Sequence, residues 1–279
     1  MKIDTKAQLI IADLVVYIIV FMIIIAIITT LTIALDRKES EIINNQEYDM
    51  IAQNTINALI KSTGTPTNWD KTPTSNIKMI GLRSNETTNM ISYMKLVKLK
   101  QNPQLMNKLL DYNIAYELTL KDVQNPQNTE IIIKSHHNQN NKNIYTKDAI
   151  VKLDYGYNIT QIKTQTNIIC PMNHTQNYEC MPITVENSTL RDGSYYLLSN
   201  CSNNYYIIEN SHNENTTGHM VNDTINQKIA SLMNNVNETL YFHVNSGGGD
   251  VYLIYDVNNI KPNYENITTK THILTLKIY

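Results

Sequence analysis

Net charge is nearly absent from this chain. Its 23 Lys and Arg stand against 25 Asp and Glu, a formal charge of −2, and without a basic surplus it lacks the electrostatic footprint of a nucleic-acid binder. Phenylalanine and tryptophan are scarce too, two and one residues against 18 Tyr. That imbalance favours strands with amphipathic surfaces over a greasy core. Cysteine is limited to Cys170, Cys180 and Cys201, so an oxidising compartment would allow one disulfide and leave one thiol over. Cys170–Cys180 closes the shortest loop and is the first choice, with Cys180–Cys201 second. Nothing near these residues suggests the low-pKa thiol and positioned base that Cys–His catalysis needs.

Signatures of catalysis are missing as well. There is no distinctive pair of carboxylates, no nucleophile elbow, and no ligand spacing among the seven His. His136 and His137 adjoin each other inside the polar, low-complexity stretch "SHHNQNNKN", where neighbours rarely share one metal geometry without further ligands. The three glycines of "NSGGGD", residues 245–250, are followed by no Lys and open no helix, so a hairpin turn is expected there rather than a phosphate cradle. The expectation is a non-enzymatic protein with no metal, no cofactor and no nucleic-acid partner.

Asparagine is abundant, and much of it sits in N-x-S/T sequons, at Asn85, Asn158, Asn173, Asn187, Asn200, Asn215, Asn222, Asn237 and Asn266. Each is a candidate N-glycan site on a secreted surface. The other outstanding feature is one apolar run. Residues 14–35, 22 in all, carry no charge and as a helix would extend about 33 Å, the hydrocarbon thickness of a bilayer. A cleaved secretion signal has an apolar region of about 7–15 residues ending in small side chains. Here the run is longer and exits into "DRKESE".

Lys2 and Lys6 precede the run and Arg37 and Lys38 follow it, so flanking charge alone is nearly balanced. The short N-terminal tail and the sequon-bearing bulk favour a cytoplasmic N-terminus and an extracellular remainder, a single pass through the cell membrane. Beyond the run no proline appears before Gly64, a natural helix breaker. Ala52, Ile56, Leu59 and Ile60 keep helical spacing. One helix over 8–62 is therefore expected, membrane-spanning over about 14–35 and exposed from there on.

The opening "MKIDTKA", the Gln8 that follows it, the hydrophobic helix and the acidic Asp13 near its start resemble the archaeal type IV pilin-like proteins with class III signal peptides. The family commonly shows Q-x-S-x-E, and this chain reads "QLIIAD". Further along, "G-x-P-x-N-W" (Gly64, Pro66, Asn68, Trp69), "IGL", "ISYMKL" and "YELTL" are similar in order and spacing to elements of many such proteins. The resemblance covers the N-terminal half, and the C-terminal half only loosely. It implies a leader over 1–7, processing between Ala7 and Gln8, and an Asp13 carboxylate that sets axial register by pairing with a neighbouring subunit's amino terminus.

The head reads as antiparallel-β-rich with a few short helices, an α+β fold in which 63–170 is a pilin-like α/β unit and 171–279 a β-rich region. Trp69 anchors the Gly64–Pro73 loop onto the helix. "NIKMIGL" is expected as a short strand and "NMISYMKLVKLK" as a helix. Pro103 is expected to open another helix capped by Asn102. "YNIAYELTLKD" and "EIIIKS" are expected to pair, and "AIVKLDYGYNITQIKTQTNIIC" to form a long strand or hairpin. "SYYLLS", "NYYIIEN", "TLYFHV", "DVYLIYDV" and "THILTLKIY" read as strands, interrupted by a helix over 221–235. The function these signals imply is a minor or tip subunit of an archaeal surface appendage, with pilin-like subunits as partners through the N-terminal helix. The alternative is a membrane-anchored envelope glycoprotein or adhesin that never polymerises.

Overall fold

The computed structural model describes residues 5–84, 89–135, 143–163, 178–200, 205–220, 223–245, 249–268 and 270–279, with the backbone alone for 5–13, 41 and 44. The chain is α+β: one long N-terminal apolar helix and a body built of β-sheets.

Helix α1 spans Thr5–Lys61, 57 residues without a break, about 86 Å of helix at 1.5 Å per residue. The next elements in chain order are β1 (Met90–Ser92), α2 (Tyr93–Gln101), β2 (Tyr116–Asp122), β3 (Thr129–Lys134), β4 (Tyr145–Asp154) and β5 (Asn158–Gln161). Then follow β6 (Glu179–Glu186), α3 (Asn187–Asp192), β7 (Ser194–Ser199), β8 (Tyr205–Glu209), β9 (Asn215–His219) and α4 (Asn226–Ala230). The chain closes with β10 (Asn237–Val244), β11 (Val251–Asp256), α5 (Tyr264–Ile267) and β12 (Thr271–Ile278).

Three sheets organise these strands. A five-stranded sheet runs β1-β4-β12-β2-β3, a four-stranded one β6-β10-β8-β9 and a three-stranded one β5-β11-β7. All named pairings are antiparallel except β1 with β4. The five-stranded sheet lays one face on the last turns of α1. Ala52, Ile56 and Leu59 are buried there among Leu118, Val151, Leu274 and Leu276. The other two sheets face each other across a separate core, in which Val185, Ile208, Leu240 and Phe242 meet Leu197, Val251 and Leu253. This sandwich leaves the first sheet after β4 and returns to it at β12, so the C-terminal residues complete the first sheet. The sheets therefore do not divide at 170/171.

Several local expectations meet their non-local limits here. Residues 76–82 form no strand, only isolated bridges, Thr65 with Met79 and then Arg83 with Ile91. Their donors are taken up locally and by the end of α1 instead: Lys78 and Met79 N–H donate to Thr65 O at 2.8 and 3.3 Å, Leu82 N–H to Leu59 O at 2.6 Å, and Arg83 N–H just beyond to Ser62 O at 3.0 Å. Pro103 starts a 3-10 segment rather than an α-helix, and the Asn102 amide donates back to Lys98 O at 2.9 Å, closing α2. The long strand or hairpin expected over 149–170 is, over the described residues 149–163, parts of two strands in different sheets, β4 and β5, hinged at Gly156 with φ +74°. "NSGGGD" likewise joins β10 to β11, strands of different sheets, and is no hairpin turn. The helix expected over 221–235 shrinks to α4, although Ile225, Ile229 and Leu232 are buried as its stripe predicts. Leu232 O there accepts from the Asn210 side chain at 3.1 Å, a bond that competes with helix continuation.

Candidate functional site

Among the described residues one helix is long and apolar enough to cross a membrane. Its apolar half packs on nothing: side chains from Leu14 to Leu35 range from 43% exposed at Ile25 to 75% at Tyr17. The threonine hydroxyls within it are satisfied internally. Thr29, Thr30 and Thr32 donate to the carbonyls four residues back at 2.6, 2.6 and 2.9 Å, so none asks for a partner in a medium without water.

The second half of α1 is held by the head in two places. Nearer the apolar half, the Asn45 side-chain oxygen accepts from the Tyr145 hydroxyl and from Asn143 Nδ2. Tyr48 stacks on Tyr145 with ring centroids 5.5 Å apart, and Lys147 pairs with Asp49 at 2.8 Å. Because these contacts involve the start of β4, that strand runs along α1 away from its apolar half. The sandwich leaves and rejoins the first sheet at the far ends of β4 and β12, and so sits distally.

The second grip is a collar around the end of α1. Gly64 follows it at φ +84°, and a Cβ there would meet the Trp69 ring at 2.5 Å. Trp69 is fully buried, and its Nε1–H donates to Gly81 O at 2.8 Å. A side chain at Gly81 would in turn collide with the Ser62 carbonyl. Lys95 is 4% exposed and donates to Thr63 O at 2.8 Å and Arg83 O at 3.0 Å, tying the helix exit to the loop before β1. Burial lowers its pKa, with Asp70 opposing the shift. Carbonyls beyond the end of a helix favour a cation in this position.

Of the residues singled out from sequence, Ala7, Gln8 and Asp13 lie in the first turns of α1. Asn158, Asn187, Asn200, Asn215 and Asn237 are exposed, and Asn266 is half-buried in α5. Asn85, Asn173, Asn222, His136, His137, Cys170 and Cys201 lie outside the described residues, so neither disulfide choice is tested. Cys180 is buried on β6. Strand register sets it opposite His243, whose Nε2 is 3.6 Å from Glu209 Oε2. These three positions are far apart in sequence and only the sheet brings them together; no local signal could have revealed them. All three are at most 4% exposed.

A polar cleft of about 130 Å³ opens where the first sheet meets α5, lined by Asp122, Leu153, Tyr155, Glu265, Lys270 and His272 among others. Lys270 reaches Glu265 at 3.1 Å and Asp122 at 4.0 Å, so opposite charges neutralise each other within it. Backbone amides, Gln124 first, hold the Asp122 carboxyl below its usual range. Among the described residues no three His, Cys, Asp or Glu side chains gather as a metal set. Comparison with protein-family models, with curated proteins and with solved structures returned no match to this chain.

Proposed function

We propose that the chain is a non-enzymatic, pilin-like subunit of an archaeal surface appendage, in a minor or tip position, stored in the membrane and assembled through α1. One observation carries the reading: a single unbroken helix is wholly unpartnered over its apolar half and bolted into a β-rich head over its other half. Such a helix needs a bilayer or other apolar helices around it, because leaving it in water costs roughly 25 cal/mol per Å² of apolar surface. Filament assembly supplies the second environment when the subunit leaves the first.

The stretch of α1 that follows the apolar run favours assembly over a plain anchor. Ile43 and Met50, seven residues apart and so on one helix face, are 55% and 63% exposed, and Ile42 beside them is 56% exposed. An anchor that works alone gains nothing from apolar side chains standing in water there, whereas neighbouring helices in a filament would cover them. In this mechanism processing frees Gln8, Asp13 sets the axial register, and the head faces outward with its glycans.

Mechanical shearing of intact cells tests the reading. The chain is expected in the sheared appendage fraction, at a low ratio to the major subunit. Complete retention in the membrane fraction, with a monomeric mass in detergent, overturns it in favour of an anchored envelope protein.

A further inference from the structure

Among the described residues the distal sandwich has four edge strands, β6 and β9 in one sheet and β5 and β7 in the other. An edge strand offers backbone N–H and C=O groups to any other strand, and natural sheets blunt it with charge, proline or a covering element. None of these four contains Lys or Arg, but β6 holds Glu179, Pro182 and Glu186, the outer side of β7 is met by Thr224 bridging Tyr196 and by Ile225 N–H donating to Tyr195 O, and Lys228 donates to the Thr217 carbonyl of β9. Each of the four also carries a sequon at one end. Asn158 is the first residue of β5 and Asn215 the first of β9. Asn187 directly follows Glu186 at the end of β6, and Asn200 directly follows Ser199 at the end of β7. All four are exposed.

In the three-stranded sheet the two sequons guard opposite ends. Asn158 is level with Tyr255 of β11, and Ser199, beside Asn200, is level with Val251. The two remaining described sequons differ. Asn237 opens β10, an interior strand, and Asn266 is half-buried in α5 beside the polar cleft.

The geometry points to N-linked glycans on Asn158, Asn187, Asn200 and Asn215 as guards that keep the sandwich edges from pairing with other chains. Paired strands lie about 4.7–4.9 Å apart, a gap that a hydrated oligosaccharide at the strand's end does not fit. Each attachment joins Asn Nδ2 to the anomeric carbon of a lipid-phosphate-linked oligosaccharide. The bond from that carbon to the phosphate oxygen breaks, the lipid phosphate leaves with the electron pair, and the amide loses one proton to a base of the transferase. The inference rests on the reading that α1 crosses a membrane with the head on the glycosylating side.

Protease treatment of intact cells tests that underlying reading alone: a digested head supports it and a protected head overturns it. Glycopeptide mapping of the full chain from native membranes then tests the inference. Glycan is expected at all four edge positions, with Asn266 bare. A digestible head with a bare edge Asn overturns the inference for that edge. The combined variant N158Q, N187Q, N200Q and N215Q, extracted as the full chain in detergent, is expected to show at least a twofold higher mass by light scattering, rising with concentration. The N237Q and N266Q pair should keep the wild-type mass. To separate loss of glycan from a folding defect, the unaltered chain is also made in a host without N-glycan transfer, where the same rise is expected. A wild-type mass in both unglycosylated forms overturns the guard role.

Discussion

Trp69 shows how much one residue carries in the collar. It is the sole tryptophan, fully buried between Gly64 and Gly81, so its fluorescence reports on the helix–head joint alone. The native emission should be blue-shifted, and it should move red in the same transition that melts the first sheet. Trp69→Ala removes a large buried ring and should cost about 3–5 kcal/mol. Gly64→Ala forces a Cβ into the indole at a positive φ and should cost about 1–3 kcal/mol, both read as lowered melting temperature. Emission at the wavelength of exposed indole in the native state would contradict the buried joint.

Tyrosines set a second residue-scale expectation. Burial is the main cause that pushes the Tyr155 and Tyr157 hydroxyls up to about 12 from an ordinary 10.0. A folded value above the unfolded one means that the native state keeps a proton the unfolded chain has lost. The contribution is whole below pH 10 and disappears as pH rises towards 12. Alkaline unfolding is therefore expected within that window, and Tyr155→Phe or Tyr157→Phe should move its midpoint to higher pH, followed by circular dichroism. An unchanged midpoint in both variants would contradict the shift.

At the scale of elements, α1 is held by apolar burial and not by its surface charges. Leu59→Ala should cost about 2–5 kcal/mol. Asp49→Asn should cost under about 1 kcal/mol, because Asp49 is half exposed and its pair with Lys147 is screened. Equal losses in chemical denaturation would contradict that ranking. The same scale shows what was legible in the sequence. The extent of α1 was, because an uncharged run and the spacing of Ala52, Ile56 and Leu59 are local signals. Strand positions such as Tyr205–Glu209 and Thr271–Ile278 were, because alternation is local too. Sheet membership was not. "YGYN" and "NSGGGD" have turn composition, yet each connects strands of different sheets, a choice made by distant partners. "NIKMIGL" has strand composition, but Leu82 finds a carbonyl partner on α1, and Lys78 and Met79 share the Thr65 carbonyl. Among the candidate site residues, exposed sequons could be listed from sequence, whereas the link between four of them and sheet edges needed the strand order.

For the whole molecule, the chain's last strand closes its first sheet. β12 lies between β4 and β2, so the sheet that grips α1 is incomplete until residues 271–278 are made, and the sandwich is built from the intervening chain. Truncation after residue 270 should leave no protease-resistant first sheet, even though only nine residues are lost. A truncated chain with the full-length digestion pattern would contradict this closure. The completed molecule places an apolar rod at one end and a sequon-bearing sandwich at the other, with a rigid collar between them. That polarity is the physical basis of the assembly reading, which we propose to begin with processing at Gln8. Mass spectrometry of the mature N-terminus, on protein purified from native membranes, tests it most directly: the account predicts a chain beginning at Gln8, and a chain beginning at Met1 or Lys2 would contradict it.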